Sequence, residues 1–129
     1  MGKQNRSFSI IERFRSIRHA LNGIKILITE EHNARIHLVV ALIVVLLSFY
    51  FKIKAVEWLF VLLSIGLVVV LEVINTVVEN IADFISPETN ESIKKIKDLS
   101  AAAVFIGSLT VILIGCVIFI PKIITLITH

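Results

Sequence analysis

From Ile10 onward, Ile10, Phe14, Ile17, Leu21, Ile24 and Ile28 recur at alternating spacings of four and three, which places them on one stripe of a helix. The other faces carry Arg13, Arg15, Arg18 and Asn22. This pattern predicts an amphipathic helix over 8–29, lying in a membrane interface with its basic face toward anionic headgroups and water. An amphipathic helix packed on protein is the alternative. Three apolar stretches follow and predict membrane spans over 36–53, 58–83 and 99–121. Residues 36–51 give only about 24 Å of helix, so snorkelling Lys52 and Lys54, with Ile53 and Val56, must complete the first crossing. The second stretch is about 39 Å long, so one end projects beyond a hydrocarbon core of roughly 30 Å. The third is unbroken up to Pro121-Lys122, and residues 84–98 are expected to form a loop before it. The chain contains no internal repeat or flexible linker. These elements make one domain, 1–129, of an all-α membrane protein.

Composition sharpens that reading. Apolar residues make up 57% of the chain and mean hydropathy is +0.93, above the roughly 45–50% apolar content of soluble domains. A water-soluble globule is thereby excluded. The one cysteine, Cys116, sits in an apolar run, which rules out an intrachain disulfide and leaves a small packing residue. Net charge is only +3, but it is unevenly placed. Lys3, Arg6, Arg13, Arg15, Arg18, Lys25 and Arg35 precede or open the first span, and Lys94, Lys95 and Lys97 flank the third. Only Lys52, Lys54 and Lys122 lie at the opposite ends. The bias puts the N-terminus and the second connection in the cytoplasm. No cleavable signal is expected in the charged N-terminal segment, and Arg6 spoils a myristoylation start.

Glu72, Asn75, Glu79 and Asp83 stand at i, i+3, i+7 and i+11, within a narrow sector of the second span. An acidic residue near the bilayer centre costs on the order of 2.5–3.5 kcal/mol, so Glu72 requires compensation. If hydrocarbon begins near Trp58, it ends near Val78, leaving Glu79 and Asp83 at the cytoplasmic interface and Glu72 roughly 9 Å deeper. A desolvated carboxylate at that depth suits a general base for an alcohol, while Glu79 in the wetter zone stays ionised. Glu30 and Glu31 open the first span on the same side, and carboxylates from two helices there suit Mg²⁺ carrying phosphate oxygens. Lys94, Lys95 and Lys97 suit nucleotide phosphates or serve as flanking charge. Ser100, Ala103 and Gly107 share a face that favours close helix packing. The sequence has no Gly-rich phosphate loop, protein-kinase catalytic loop or His-Glu-x-x-His motif. His32 and His37, five apart, point in different directions and do not suit a shared metal.

The segment Glu72-Val-Ile-Asn75-Thr76-Val-Val-Glu79-Asn-Ile-Ala-Asp83, followed by Lys97-Asp98 and Ala101-Ala102-Ala103-Val104, resembles the small bacterial integral-membrane diacylglycerol kinase family. The amphipathic N-terminal helix with Gly23, the Glu31-His-Asn-Ala-Arg35 segment and the three-span layout extend the likeness over nearly the whole chain. Arg13-Phe14-Arg15-Ser16, Asn33-Ala-Arg35-Ile-His37, Glu57-Trp58 and Phe119-Ile-Pro121-Lys122 are similar to the branch that phosphorylates undecaprenol. The resemblance implies a homotrimer in the plasma membrane, with sites shared between subunits near the cytoplasmic surface. It implies transfer of the γ-phosphoryl of MgATP to the hydroxyl of undecaprenol, or of diacylglycerol in the other branch. It also implies Glu72 as base, Glu31 and Glu79 as metal ligands that also contact ATP, Glu88, Lys97 and Asp98 around ATP, and Asn75, Arg35 and Asp83 in support of the lipid site. Asn90 stands where the family usually has a nucleotide-contacting His, and Ile96 where it has Ala. No nucleic-acid partner is expected.

Two other classes compete. An intramembrane Glu is a common mark of a proton or ion pathway, yet the outer half of the second span offers only Ser64 and Gly66 among apolar residues. A non-catalytic assembly subunit would use Glu72 and Asn75 only to join helices.

Overall fold

The computed structural model describes residues 10–88 and 90–128. They form four helices: α1 Ile10–Glu30, α2 His32–Tyr50, α3 Ala55–Ile85 and α4 Glu91–Thr128. The all-α expectation is met, with no strand among the described residues. Helices α2, α3 and α4 are each long and apolar enough to cross a membrane. Phe8 and Ser9, the start of the expected surface helix, lie outside the described residues.

The stripe of α1 stays uncovered: Ile10, Phe14, Ile17 and Leu21 are all more than half exposed. The buried residue of α1 is Leu27, beside the stripe rather than on it. Among the described residues the chain's own helices do not supply the protein surface that the packed alternative requires. Glu31 separates α1 from α2 with an extended backbone (φ −96°, ψ 117°). Its carbonyl accepts the Arg35 amide at 3.4 Å and Arg35 Nε at 3.3 Å. The polar turn 32–35 thus already belongs to the spanning helix, and α2 begins four residues before the apolar run expected over 36–53.

At the other end α2 stops at Tyr50, earlier than residue 53. The turn to α3 passes through Lys52 at φ 47°, the left-handed region that a side chain occupies at a cost. Lys54 N–H donates to Glu57 Oε2 at 2.6 Å, capping α3. Lys122 Nζ lies 2.9 Å from Glu57 Oε1, tying the start of α3 to α4. Beneath that tie Ile53, Val61, Ile118 and Phe119 form a buried apolar cluster.

Two helix ends differ from the expected boundaries. The segment 84–98 is not a loop throughout, because α3 runs to Ile85 and α4 starts at Glu91. Pro87 forces Ser86 into an extended conformation and stops α3. Asn90 Oδ1 then accepts the Ile93 amide at 3.0 Å, an N-cap that starts α4 early. The helix of the third span also runs past residue 121, since Pro121 lies inside α4, which continues to Thr128. Proline removes only its own donor, and the apolar run Ile123, Ile124, Leu126 and Ile127 carries the helix onward.

Helices α3 and α4 make the most extensive packing of any pair. Gly107 is buried, and a Cβ there would overlap Leu71 Cδ1, so the small face read around Gly107 does permit close approach. Ser100 is half-buried and Ala103 exposed.

Candidate active site

The polar face of α3 divides along its length. Glu72 is 3% exposed, Thr76 6% and Asn75 9%, whereas Glu79 is half-buried and Asp83 exposed. Helical rise separates Glu72 from Asp83 by about 16 Å, so the face runs from the exposed end of α3 into its buried middle. Asn75 Nδ2 donates to Glu79 Oε1 at 2.9 Å. The other atom of the same amide, Asn75 Oδ1, is buried without a partner, and so is Thr76 Oγ1. Buried acceptors and hydroxyls of this kind normally find a partner. Two sit within one turn of Glu72.

The compensation that Glu72 requires comes from α2. His37 Nε2 lies 3.0 Å from Glu72 Oε1. The sequence places His37 in a branch-like segment and rules it out as a metal partner of His32, but its pairing with Glu72 was missed. A signal existed: His37 shares a helical face with Ala34, Ala41 and Ser48, and the small residues of that face mark where α2 meets α3. Ala34 and Ser48 are buried.

Glu31, at the α1–α2 junction, and Glu79 lie close enough for their charges to act on Glu72. The fold therefore brings three of the expected site carboxylates into one electrostatic neighbourhood. Among the described residues no three His, Cys, Asp or Glu side chains form a self-sufficient metal cage. Mg²⁺ does not demand one, because it takes one or two carboxylates with phosphate oxygens and water. Among the described residues Glu79 Oε2 takes no hydrogen bond, while Oε1 accepts Asn75 Nδ2. Arg35 turns back onto the Glu31 carbonyl and fixes this junction.

The remaining expected residues lie elsewhere. Lys97 Nζ makes an ion pair with Asp83 Oδ1, linking α4 to the end of α3. Since Asp83 is three turns from Glu72, one chain does not bring Lys97 to the buried carboxylate. Asp98 is exposed on α4, and Glu88 is exposed in the short connection. There the Glu88 carbonyl accepts Ser86 Oγ at 2.9 Å.

From His37 an apolar groove of about 400 Å³ runs between α2, α3 and α4 toward the opposite membrane face. Val40, Val44, Val68, Ile112 and Ile118 line its walls, and Gly115 leaves them open. Glu72 reaches that groove through His37, which lines it and lies 3.0 Å from the buried carboxylate, an arrangement chemically suited to an amphiphile with a hydroxyl end.

The family model for prokaryotic diacylglycerol kinase matches residues 18–119. The chain belongs to that family. Membership makes it a membrane-bound lipid kinase, with ATP as phosphoryl donor. The kinase is 33% identical over 109 residues to the undecaprenol kinase of Bacillus subtilis, covering 84% of this chain and 89% of that relative. It is also 33% identical over 94 residues to a diacylglycerol kinase of Helicobacter pylori, covering 73% of each. A diacylglycerol kinase of Haemophilus influenzae is 32% identical over 92 residues, 71% of this kinase and 78% of the relative.

Proposed function

We propose that this kinase transfers the γ-phosphoryl of ATP to the hydroxyl of undecaprenol at the cytoplasmic face of the plasma membrane, as a homotrimer. The observation that carries the reading is Glu72, a carboxylate held 3% exposed in a membrane helix, whose neighbour His37, 3.0 Å away, lines an apolar groove. A soluble alcohol would not need its base there; a lipid alcohol does. Its chain lies along the groove and into the bilayer while its hydroxyl meets Glu72. The hydroxyl oxygen bonds to the γ-phosphorus, Glu72 receives the hydroxyl proton, and ADP leaves. Glu31 and Glu79 hold Mg²⁺, which neutralises phosphate charge when bound. Asn75 offers its unpartnered Oδ1 beside the base. Lys97, Asp98 and Glu88 serve ATP at the aqueous end, where phosphates compete with Asp83 for the Lys97 ammonium. Phosphoryl transfer requires alignment and charge stabilisation more than covalent help from the protein, and these parts supply both.

The choice of undecaprenol rests on the 33% identity over 84% of this chain shared with the Bacillus subtilis undecaprenol kinase and on the branch-like segments of the sequence. Diacylglycerol, the substrate named for the other relatives, is the second reading. The deciding experiment offers undecaprenol and diacylglycerol side by side to the purified protein in micelles with labelled ATP and Mg²⁺. Labelled undecaprenyl phosphate in excess is expected. Label mainly in phosphatidic acid would overturn the substrate, and no labelled lipid would overturn the reading altogether.

A further inference from the structure

Glu72 sits on a flexible side chain whose job, on the reading above, is to meet one proton at one place. Among the described residues the only group within hydrogen-bond distance of its carboxylate is His37, with Nε2 3.0 Å from Oε1. His37 is itself placed by packing: its α2 face is anchored by buried Ala34 one turn before it and buried Ser48 three turns after it. It also lines the apolar groove, where Cys116 is the only other ionisable side chain. An imidazole on an apolar packing face carries a desolvation cost that an aliphatic residue would avoid. Its contact with Glu72 is what offsets that cost.

We infer that His37 is a positioning residue for the base: its Nε2, 3.0 Å from Glu72 Oε1, holds the carboxylate in one rotamer beside the groove that His37 lines. The inference rests on Glu72 being the base. An imidazole suits the task better than Lys or Arg, because a permanent cation at 3 Å would bind the carboxylate as an ion pair and blunt it as a proton acceptor. Holding the base also removes rotamers that would otherwise carry it off the attack line. A displacement of about 1 Å can cost on the order of 100-fold in rate.

The test compares His37→Leu and His37→Gln in the full-length protein, alone and with Glu72→Gln. Leucine fills the site without a donor, whereas the glutamine amide can place an N–H near the position of Nε2. His37→Leu is expected to lower kcat by about 10- to 100-fold while KM for lipid and ATP stays within about twofold. His37→Gln should recover most of that loss. In the Glu72→Gln background, His37→Leu should have no further effect on the residual rate, because the side chain it positions is no longer a base. Wild-type kcat in His37→Leu would overturn the inference. So would equal defects in the Leu and Gln variants, or the same fold-loss with and without Glu72. If Glu72→Gln itself retained full activity, the base assignment would fail instead, which separates the two ideas.

Discussion

At the scale of single residues, cost is what gives Glu72 its meaning. A carboxylate in the apolar layer is tolerated only when something compensates for lost water, and here the neighbour within reach is one imidazole. Replacing Glu72 by Gln keeps volume and hydrogen-bonding capacity but removes the proton acceptor. Glu72→Gln should therefore leave the oligomer intact by size-exclusion chromatography in detergent while lowering lipid phosphorylation by about 100-fold or more. An assembly-only role for Glu72 would leave the rate untouched. The spacing of Glu72, Asn75, Glu79 and Asp83 was legible in the sequence because helical periodicity needs only one chain segment. His37 was not, because its partner lies 35 positions away on another helix.

At the scale of elements, the contact between α3 and α4 depends on a missing side chain. Gly107 lets Leu71 lie where a Cβ would be. Since the obstructing atom is the free end of a leucine, Gly107→Ala is accommodated by a rotamer change and should cost little. Gly107→Leu overfills the same space and should destabilise by about 1–3 kcal/mol. Adding Leu71→Ala to Gly107→Leu should recover a measurable part of that loss, read as the unfolding midpoint in mixed detergent. Recovery identifies the direct contact; a general loss of membrane packing would show none. The ion pair of Lys97 with Asp83 joins the same two helices but contributes far less, because the Asp83 side chain is 60% exposed. Its worth lies in where it parks the Lys97 ammonium.

For the whole molecule, the described helices leave most of their apolar surface outward. Phe105, Ile106 and Leu113 on α4 and Leu59, Leu62 and Leu63 on α3 are all exposed. Lipid and neighbouring subunits are the available cover. With Lys97 held at Asp83, far from Glu72 of the same chain, a trimer in which Lys97 of one subunit serves Glu72 of another would complete the site. Chains carrying Glu72→Gln and chains carrying Lys97→Ala, each inactive alone, should therefore regain activity when unfolded together and refolded as a mixture. A mixture as inactive as its parts would place both residues in one subunit's site.

The sequence by itself determined the membrane class, the amphipathic helix and the polar face of α3. All three follow from local periodicity and from the cost of charge in hydrocarbon, which act within a single helix. It misjudged where helices end, because Asn90 capping α4 and Pro121 riding inside it depend on single hydrogen bonds rather than on average hydropathy. Only the tertiary structure decided which residue meets Glu72, how close α4 comes to Leu71 and where Lys97 rests. Those are distances between segments far apart in the chain, and packing of one helix against another is the only thing that sets them.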